Sequence, residues 1–150
     1  MSILIENRQK KHKIDLSRIR NSLKQILKTL DCIDKELSIL FVDDDGIRKI
    51  NSYYLKRNYT TNVITFSMLE GEFKEVNPSL FGDIIISVET AYRDALNGDI
   101  EFFDEIEFLL IHGILHLLGY NHESTTYANA DEMKRLSNKL FFELRGYQLT

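Results

Sequence analysis

Phe108-Leu-Leu-Ile-His112-Gly-Ile-Leu-His116-Leu-Leu-Gly119-Tyr-Asn-His122 organises the rest of the chain around it. From Phe108 to Leu118 the residues are apolar on nearly every side of a helix, which predicts a buried helix. His112 and His116 lie four residues apart within it. One helical turn therefore places them on one face, with Cβ atoms about 5–6 Å apart. Gly119 permits the helix to end, because glycine adopts positive φ without steric cost. A chain turning there can return His122 towards the same point. Three imidazoles converging from a helix and the following turn suit a tetrahedral metal with one open position.

An isolated histidine on an apolar helix is ordinarily a core residue with a satisfied hydrogen bond. Two at i and i+4 are harder to place that way, because burying a polar group unpaired costs about 1–3 kcal/mol. A shared metal satisfies one nitrogen on each ring. An all-histidine donor set points to one divalent ion, zinc foremost, with nickel, copper and iron also compatible. Three protein ligands leave a place for water or substrate, so metal-assisted hydrolysis is the expected reaction class.

The spacing also fits the metzincin peptidases, whose pattern is His-Glu-x-x-His-x-x-Gly-x-x-His. Here Gly113 stands where the peptidase carries its general base. Glu123, next to His122, is a substitute base on paper, and reads first as a solvent-facing loop carboxylate. Met133 lies downstream, where a methionine underlies metzincin sites, but its helical spacing reads as core packing.

Working outward, Glu101, Asp104, Glu105 and Glu107 open the histidine helix and suit the positive end of its dipole. Residues 2–6 read as a strand. Leu16, Ile19, Leu23, Ile26, Leu27 and Leu30 follow helical spacing, with Asp15 or Ser17 as N-cap. Leu37 to Val42 reads as a buried strand. Asp43-Asp44-Asp45-Gly46 ends it and caps a helix carrying Ile47, Ile50 and Tyr53 or Tyr54; the final Glu of a calcium loop is missing. Residues 63–68 and 81–88 read as strands, about 89–96 as a helix stopped by Asn97-Gly98. A last helix carries Met133, Leu136, Leu140, Phe141 and Leu144. The expected architecture is a single α+β domain over residues 1–150. About four strands form a small mixed sheet packed with about five helices, the buried central one carrying the histidines.

A chain of 150 residues, 43% hydrophobic, can bury a sizeable core without disulfides. The single cysteine, Cys32, forms no internal disulfide, which favours a reducing compartment and hence the cytoplasm. No apolar run reaches the ~18 residues of a membrane span. A net charge of −4 excludes a chain-wide attraction for nucleic acid. Basic residues do cluster locally: Arg8, Lys10, Lys11, His12 and Lys13, then Arg18, Arg20 and Lys24. They read either as a solvated face or as a phosphate-contacting patch.

The histidine motif closely resembles the His-Gly-x-Leu-His-Leu-x-Gly-Tyr-Asp-His signature of the bacterial YbeY family. Leu37-Ser-Ile with Val42-Asp43-Asp44 resembles that family's strand-and-aspartate segment. Asn51 to Tyr54 and Thr61-Asn62-Val63-Ile64-Thr65-Phe66-Ser67 resemble its Asn-x-x-Tyr and Thr-Asp-Val-Leu-Ser-Phe blocks. Phe81-Gly82-Asp83-Ile84 resembles its Leu-Gly-Asp-Ile block. The resemblance runs from about residue 37 to 133. It implies an α+β, metal-dependent, single-strand-specific endoribonuclease of ribosomal RNA maturation. The implied target is the small-subunit RNA 3′ end, with the small ribosomal subunit as partner and no membrane. It carries the metal ligands over to His112, His116 and His122.

Three positions depart. Leu55 stands where the family has an Arg implicated in activity, with Lys56 and Arg57 beside it as candidate substrate-binding cations. Asn62 and Asn121 replace aspartates, removing carboxylates that in such sites orient and strengthen a histidine ligand. Tyr53, Tyr54 and Tyr59 are candidates to stack on unpaired bases, and Asp83 reads as structural. Two alternatives to the nuclease remain at this point. One is a metzincin-like metallopeptidase. The other is a non-catalytic ribosome assembly factor with a structural metal, favoured by the loss of arginine at position 55.

Overall fold

The computed structural model describes residues 2–32, 35–67, 80–118 and 127–145. Four strands, β1 (Ser2–Asn7), β2 (Glu36–Val42), β3 (Val63–Ser67) and β4 (Leu80–Ser87), form one sheet in the order β1-β2-β4-β3. The first three in that order run parallel, and β3 is antiparallel to β4. Among the described residues there are five helices: α1 (Leu16–Thr29), α2 (Asp44–Leu55), α3 (Val88–Gly98) and α4 (Phe102–Leu117) contact the sheet, and α5 (Tyr127–Arg145) packs on α1 and α4. This is the expected α+β architecture, four strands and five helices included. No helix among the described residues is long and apolar enough to cross a membrane.

Side chains alternate across the sheet. Ile3, Leu37, Ile39, Phe41, Ile84 and Ile86 bury one face in a core shared with α1, α4 and α5. Val42, Ile64 and Ile85 bury part of the other against Ile47 of α2. The caps follow from local chemistry. Asp15 accepts the Arg18 N–H at 3.1 Å to start α1, and Asp43 accepts the Gly46 N–H at 2.8 Å to start α2. Capping thus accounts for the first of the three aspartates. Asp44 accepts hydrogen bonds from Ser87 and Thr90 at 2.7 and 2.6 Å and pairs with Arg93 at 2.8 Å. Burial alone would raise its pKa; the hydrogen bonds from Thr90 and Ser87 and the Arg93 charge outweigh burial and lower it. The start of α2 is thereby tied to the start of α3.

The histidine helix α4 is buried as its composition requires, with Ile106, Leu110, Ile111, Ile114 and Leu115 sealed from solvent. Two of its acidic residues differ from a simple dipole reading. Asp104 and Glu107 are themselves buried, and Glu107 accepts a 2.5 Å hydrogen bond from Ser22 of α1. That bond ties two helices far apart in sequence. Two glycines set how closely layers approach. Gly82 has φ +151°, next to the bulge where Leu37 pairs with Gly82 while Glu36 pairs with Leu80. A Cβ there would lie 2.3 Å from the Phe66 carbonyl oxygen, so only glycine fits. At Gly113 a Cβ would lie 2.9 Å from Cδ1 of Ile84, so the missing side chain seats α4 directly on β4.

Candidate metal and phosphate cleft

His112 and His116 project from the same side of α4 into a cleft of about 380 Å³. Its opposite wall comes from Asn51 and Leu55 of α2, and from Arg57, Tyr59 and Thr61 in the segment entering β3. Its floor includes Val63, Ile64 and Thr65 of β3. The two imidazoles are partly buried, with ring centroids 4.7 Å apart and Nε2 atoms 3.1 Å apart. That contact is a hydrogen bond when one ring carries its proton on Nε2; otherwise two lone pairs face one region of space. Tetrahedral ligation at 2.0–2.1 Å per nitrogen requires about 3.3 Å between two ligand nitrogens. The donor chemistry and the observed separation therefore fit a shared cation. Among the described residues no group of three His, Cys, Asp or Glu is assembled for a metal. His122, the expected third ligand, lies outside the described residues, as do Gly119, Asn121 and Glu123.

The two candidate cations separate. Lys56 takes a left-handed conformation, φ 59°, as the C-cap of α2, and is not among the cleft-lining residues. That turn reverses the chain, and the Arg57 N–H donates to the Asn51 carbonyl at 3.2 Å. Arg57 thereby lines the cleft alongside Leu55. Asn51, a buried polar side chain, donates from Nδ2 to the Tyr59 carbonyl at 3.0 Å. One asparagine thus holds both ends of the segment carrying Arg57 and Tyr59. In the sequence Asn51 stands out as the first residue of the Asn-x-x-Tyr block. Its other signal there is its place four residues after Ile47, a polar side chain on the apolar face of α2.

The tyrosines also separate. Tyr59 lines the cleft and is exposed. Tyr54 packs edge-on against Phe66, with Tyr53 edge-on against Tyr54. Asp83 lies on the sheet face opposite the histidines, in a groove with Ser38, Leu40 and Ile85. Asn62 does not line the cleft; its Nδ2 donates to Asp94 of α3 at 3.2 Å. An amide suits that place, since it can donate to a carboxylate where an aspartate would repel it. Met133 is buried in the main core, as packing requires.

No carboxylate lines the described part of the cleft. It offers imidazoles, a guanidinium, hydroxyls and an amide, a set suited to a polyanion. A side chain at position 113 would start towards Ile84, with its Cβ 2.9 Å from Cδ1, rather than into the cleft, so this position does not present a metzincin base to the histidines.

The family described as Endoribonuclease YbeY matches residues 4–145. An Endoribonuclease YbeY of Syntrophus aciditrophicus is 54% identical over 149 residues, covering 99% of this chain and 93% of that protein. That of Syntrophotalea carbinolica is 48% identical over 143 residues, covering 95% of each. A solution structure of a Thermotoga maritima protein shares the fold, with a TM-score of 0.66 at 24% identity, over 96% of this chain and 92% of that one.

Proposed function

The chain belongs to the YbeY family of endoribonucleases, and from that premise we propose that residues 1–150 act as one metal-dependent hydrolase domain cutting single-stranded RNA. The target is ribosomal RNA at the 3′ end of the small subunit, and the setting is the cytoplasm, with the small ribosomal subunit as partner. His112 and His116, together with His122, would hold one divalent ion, zinc by the preference of an all-imidazole set. When bound, such an ion supplies Lewis acidity towards a phosphoryl oxygen and a water molecule. The observation that carries this reading is the 3.1 Å approach of the two Nε2 atoms inside a cleft that also holds Arg57.

The chain's own residues supply position and charge. Arg57 holds a phosphate next to the scissile one, a charge-assisted contact stronger than a neutral hydrogen bond. Its place in the cleft offsets the Leu55 departure. Tyr59 offers a ring face to an unpaired base. Asn51 fixes the segment that carries both. The peptidase alternative is disfavoured by Gly113, and the non-catalytic alternative by relatives that are named endoribonucleases.

The test is cleavage of single-stranded RNA by untagged protein, with chelator, and by His116→Ala and Arg57→Ala variants. Chelation and His116→Ala are expected to lower the rate by more than the roughly 10–100-fold typical of losing an outer partner of a metal ligand. Arg57→Ala is expected to lower kcat/KM by about tenfold or more, the worth of a charged hydrogen bond. Unchanged cleavage by His116→Ala would assign the activity to a contaminant and remove the reading.

A further inference from the structure

Eight of the chain's 19 lysines and arginines fall within residues 8–28, together with one of its 23 acidic residues, Asp15. In an acidic protein this concentrates positive charge in the segment from the end of β1 through α1. Arg8 pairs with Glu6 at 2.9 Å, and the Arg20 guanidinium donates to the Ile3 carbonyl at 2.7 Å. Arg18 lies 3.6 Å over the Phe103 ring. Lys10, Lys11 and Lys13 are exposed, and no ion pair engages them among the described residues.

The loop bearing these lysines is built around one side chain. Gln9 is only 7% exposed. Its Nε2 donates to Asn7 Oδ1 at 2.8 Å and to the His12 carbonyl at 2.9 Å. Its Oε1 accepts the Lys11 and His12 N–H groups at 2.8 and 3.0 Å. The His12 ring stacks on Tyr92 of α3 at 4.2 Å, which anchors the far end of the loop. A buried glutamine with both ends satisfied is an expensive way to hold a surface turn that merely needs to be soluble. It fixes the backbone at Lys11 and His12, with Lys10 and Lys13 on either side, before any partner arrives.

The loop also sits at the same end of the sheet as the cleft entrance. Asn7 ends β1 opposite Phe41, and Val63 begins β3 opposite Ile86, with Phe41 and Ile86 themselves paired. β1 and β3 are the outer strands, three spacings apart, about 14 Å. Helix α3 stands between the two loops. Tyr92 meets His12 on one side, while Asp94, two residues on and so on the opposite helix face, meets Asn62.

We propose that the β1–α1 loop, through Lys10, Lys11 and Lys13, is a second contact for the RNA backbone, outside the catalytic cleft. It grips phosphates several nucleotides from the cut and makes the enzyme favour long strands over short ones. This rests on the nuclease reading above, deepening it to substrate length.

The test separates the two. RNA binding is measured without turnover, in a His116→Ala background, for a strand of about 20 nucleotides and for a tetramer, across a salt series. For single strands the slope of log K against log salt falls by about 0.7 per phosphate contact. Replacing all three lysines by alanine is therefore expected to reduce the long-strand slope by about 2 and to leave the tetramer unchanged. In the His116 background, Gln9→Ala keeps every charge but frees the loop, and is expected to weaken long-strand binding by about threefold or more. An unchanged slope overturns the proposal. So does equal weakening for the tetramer, or an equal effect of the lysine substitutions on polyglutamate or on anionic vesicles. Absence of RNA cleavage by the wild type would instead count against the nuclease reading.

Discussion

At Gly113 a hydrogen atom in place of a side chain sets the position of both histidines. The ideal Cβ would meet Ile84 Cδ1, Cγ2 and Cγ1 at 2.9, 3.1 and 3.2 Å, so a larger residue forces either the Ile84 side chain to shift or α4 to move off β4. The same position explains why glutamate is absent: a carboxylate would be driven into the sheet's apolar face without a partner. Gly113→Glu, which would complete the metzincin pattern, is expected to destabilise the fold by about 4 kcal/mol or more, through overpacking and an unpaired buried charge. Thermal or urea denaturation measures this. A folded variant with chelator-sensitive proteolysis would contradict it. Asn51 shows the complementary case, a polar side chain whose burial is repaid by its bond to the Tyr59 carbonyl.

At the scale of elements, α3 and α4 bring two carboxyls together. Burial first, and then the nearby Asp94 charge, push the Glu105 pKa up to about 7 from an ordinary value of 4.5. The folded state therefore holds a proton that the unfolded chain releases. The stabilisation is full below about pH 4.5 and is lost as pH rises through about 7. Tm is expected to fall between pH 5 and 8. Glu105→Gln, neutral throughout, should flatten that decline and raise Tm at pH 8; an unaltered profile would rule out Glu105 as its source. Asp44 acts in a separate, lower window. Its depressed pKa means that its contribution is lost only as pH falls below the ordinary carboxylate range.

Elements are also where legibility in the sequence divides. Asp15 and Asp43 were readable as caps because capping needs only three residues of local chemistry. The apolar run of α4 was readable because burial imposes it on composition. Glu107 was not: on the page it completes an acidic helix start, and in the fold it meets Ser22, 85 residues away. Asn62 reads in the sequence as a lost metal-site carboxylate, and in the fold it bonds Asp94 on α3. The left-handed turn at Lys56 that sends Arg57 into the cleft had no glycine to announce it.

For the whole molecule, the sheet order β1-β2-β4-β3 decides what the other scales can do. Placing β3 at one edge, beside α4, forms the histidine cleft between an outer strand and a buried helix. Placing β1 at the other edge puts the basic loop at the same end but on the far flank. The class of architecture is legible from strands and helices that are interspersed without strict alternation. Strand order was not, since it depends on pairings such as Phe41 with Ile86 that no local pattern encodes. The two ends of the proposed RNA path are thus products of topology, while the chemistry at each end is a product of a few residues.

Metal content decides between a catalytic centre and a pair of hydrogen-bonded imidazoles. Untagged wild-type protein and a folded His112→Ala/His116→Ala variant are dialysed against trace zinc and analysed by inductively coupled plasma mass spectrometry. About one zinc per chain is expected in the wild type, as for a single three-histidine site, and close to none in the variant. Equal zinc in both, or none in the wild type, would contradict the assignment of His112 and His116 as metal ligands.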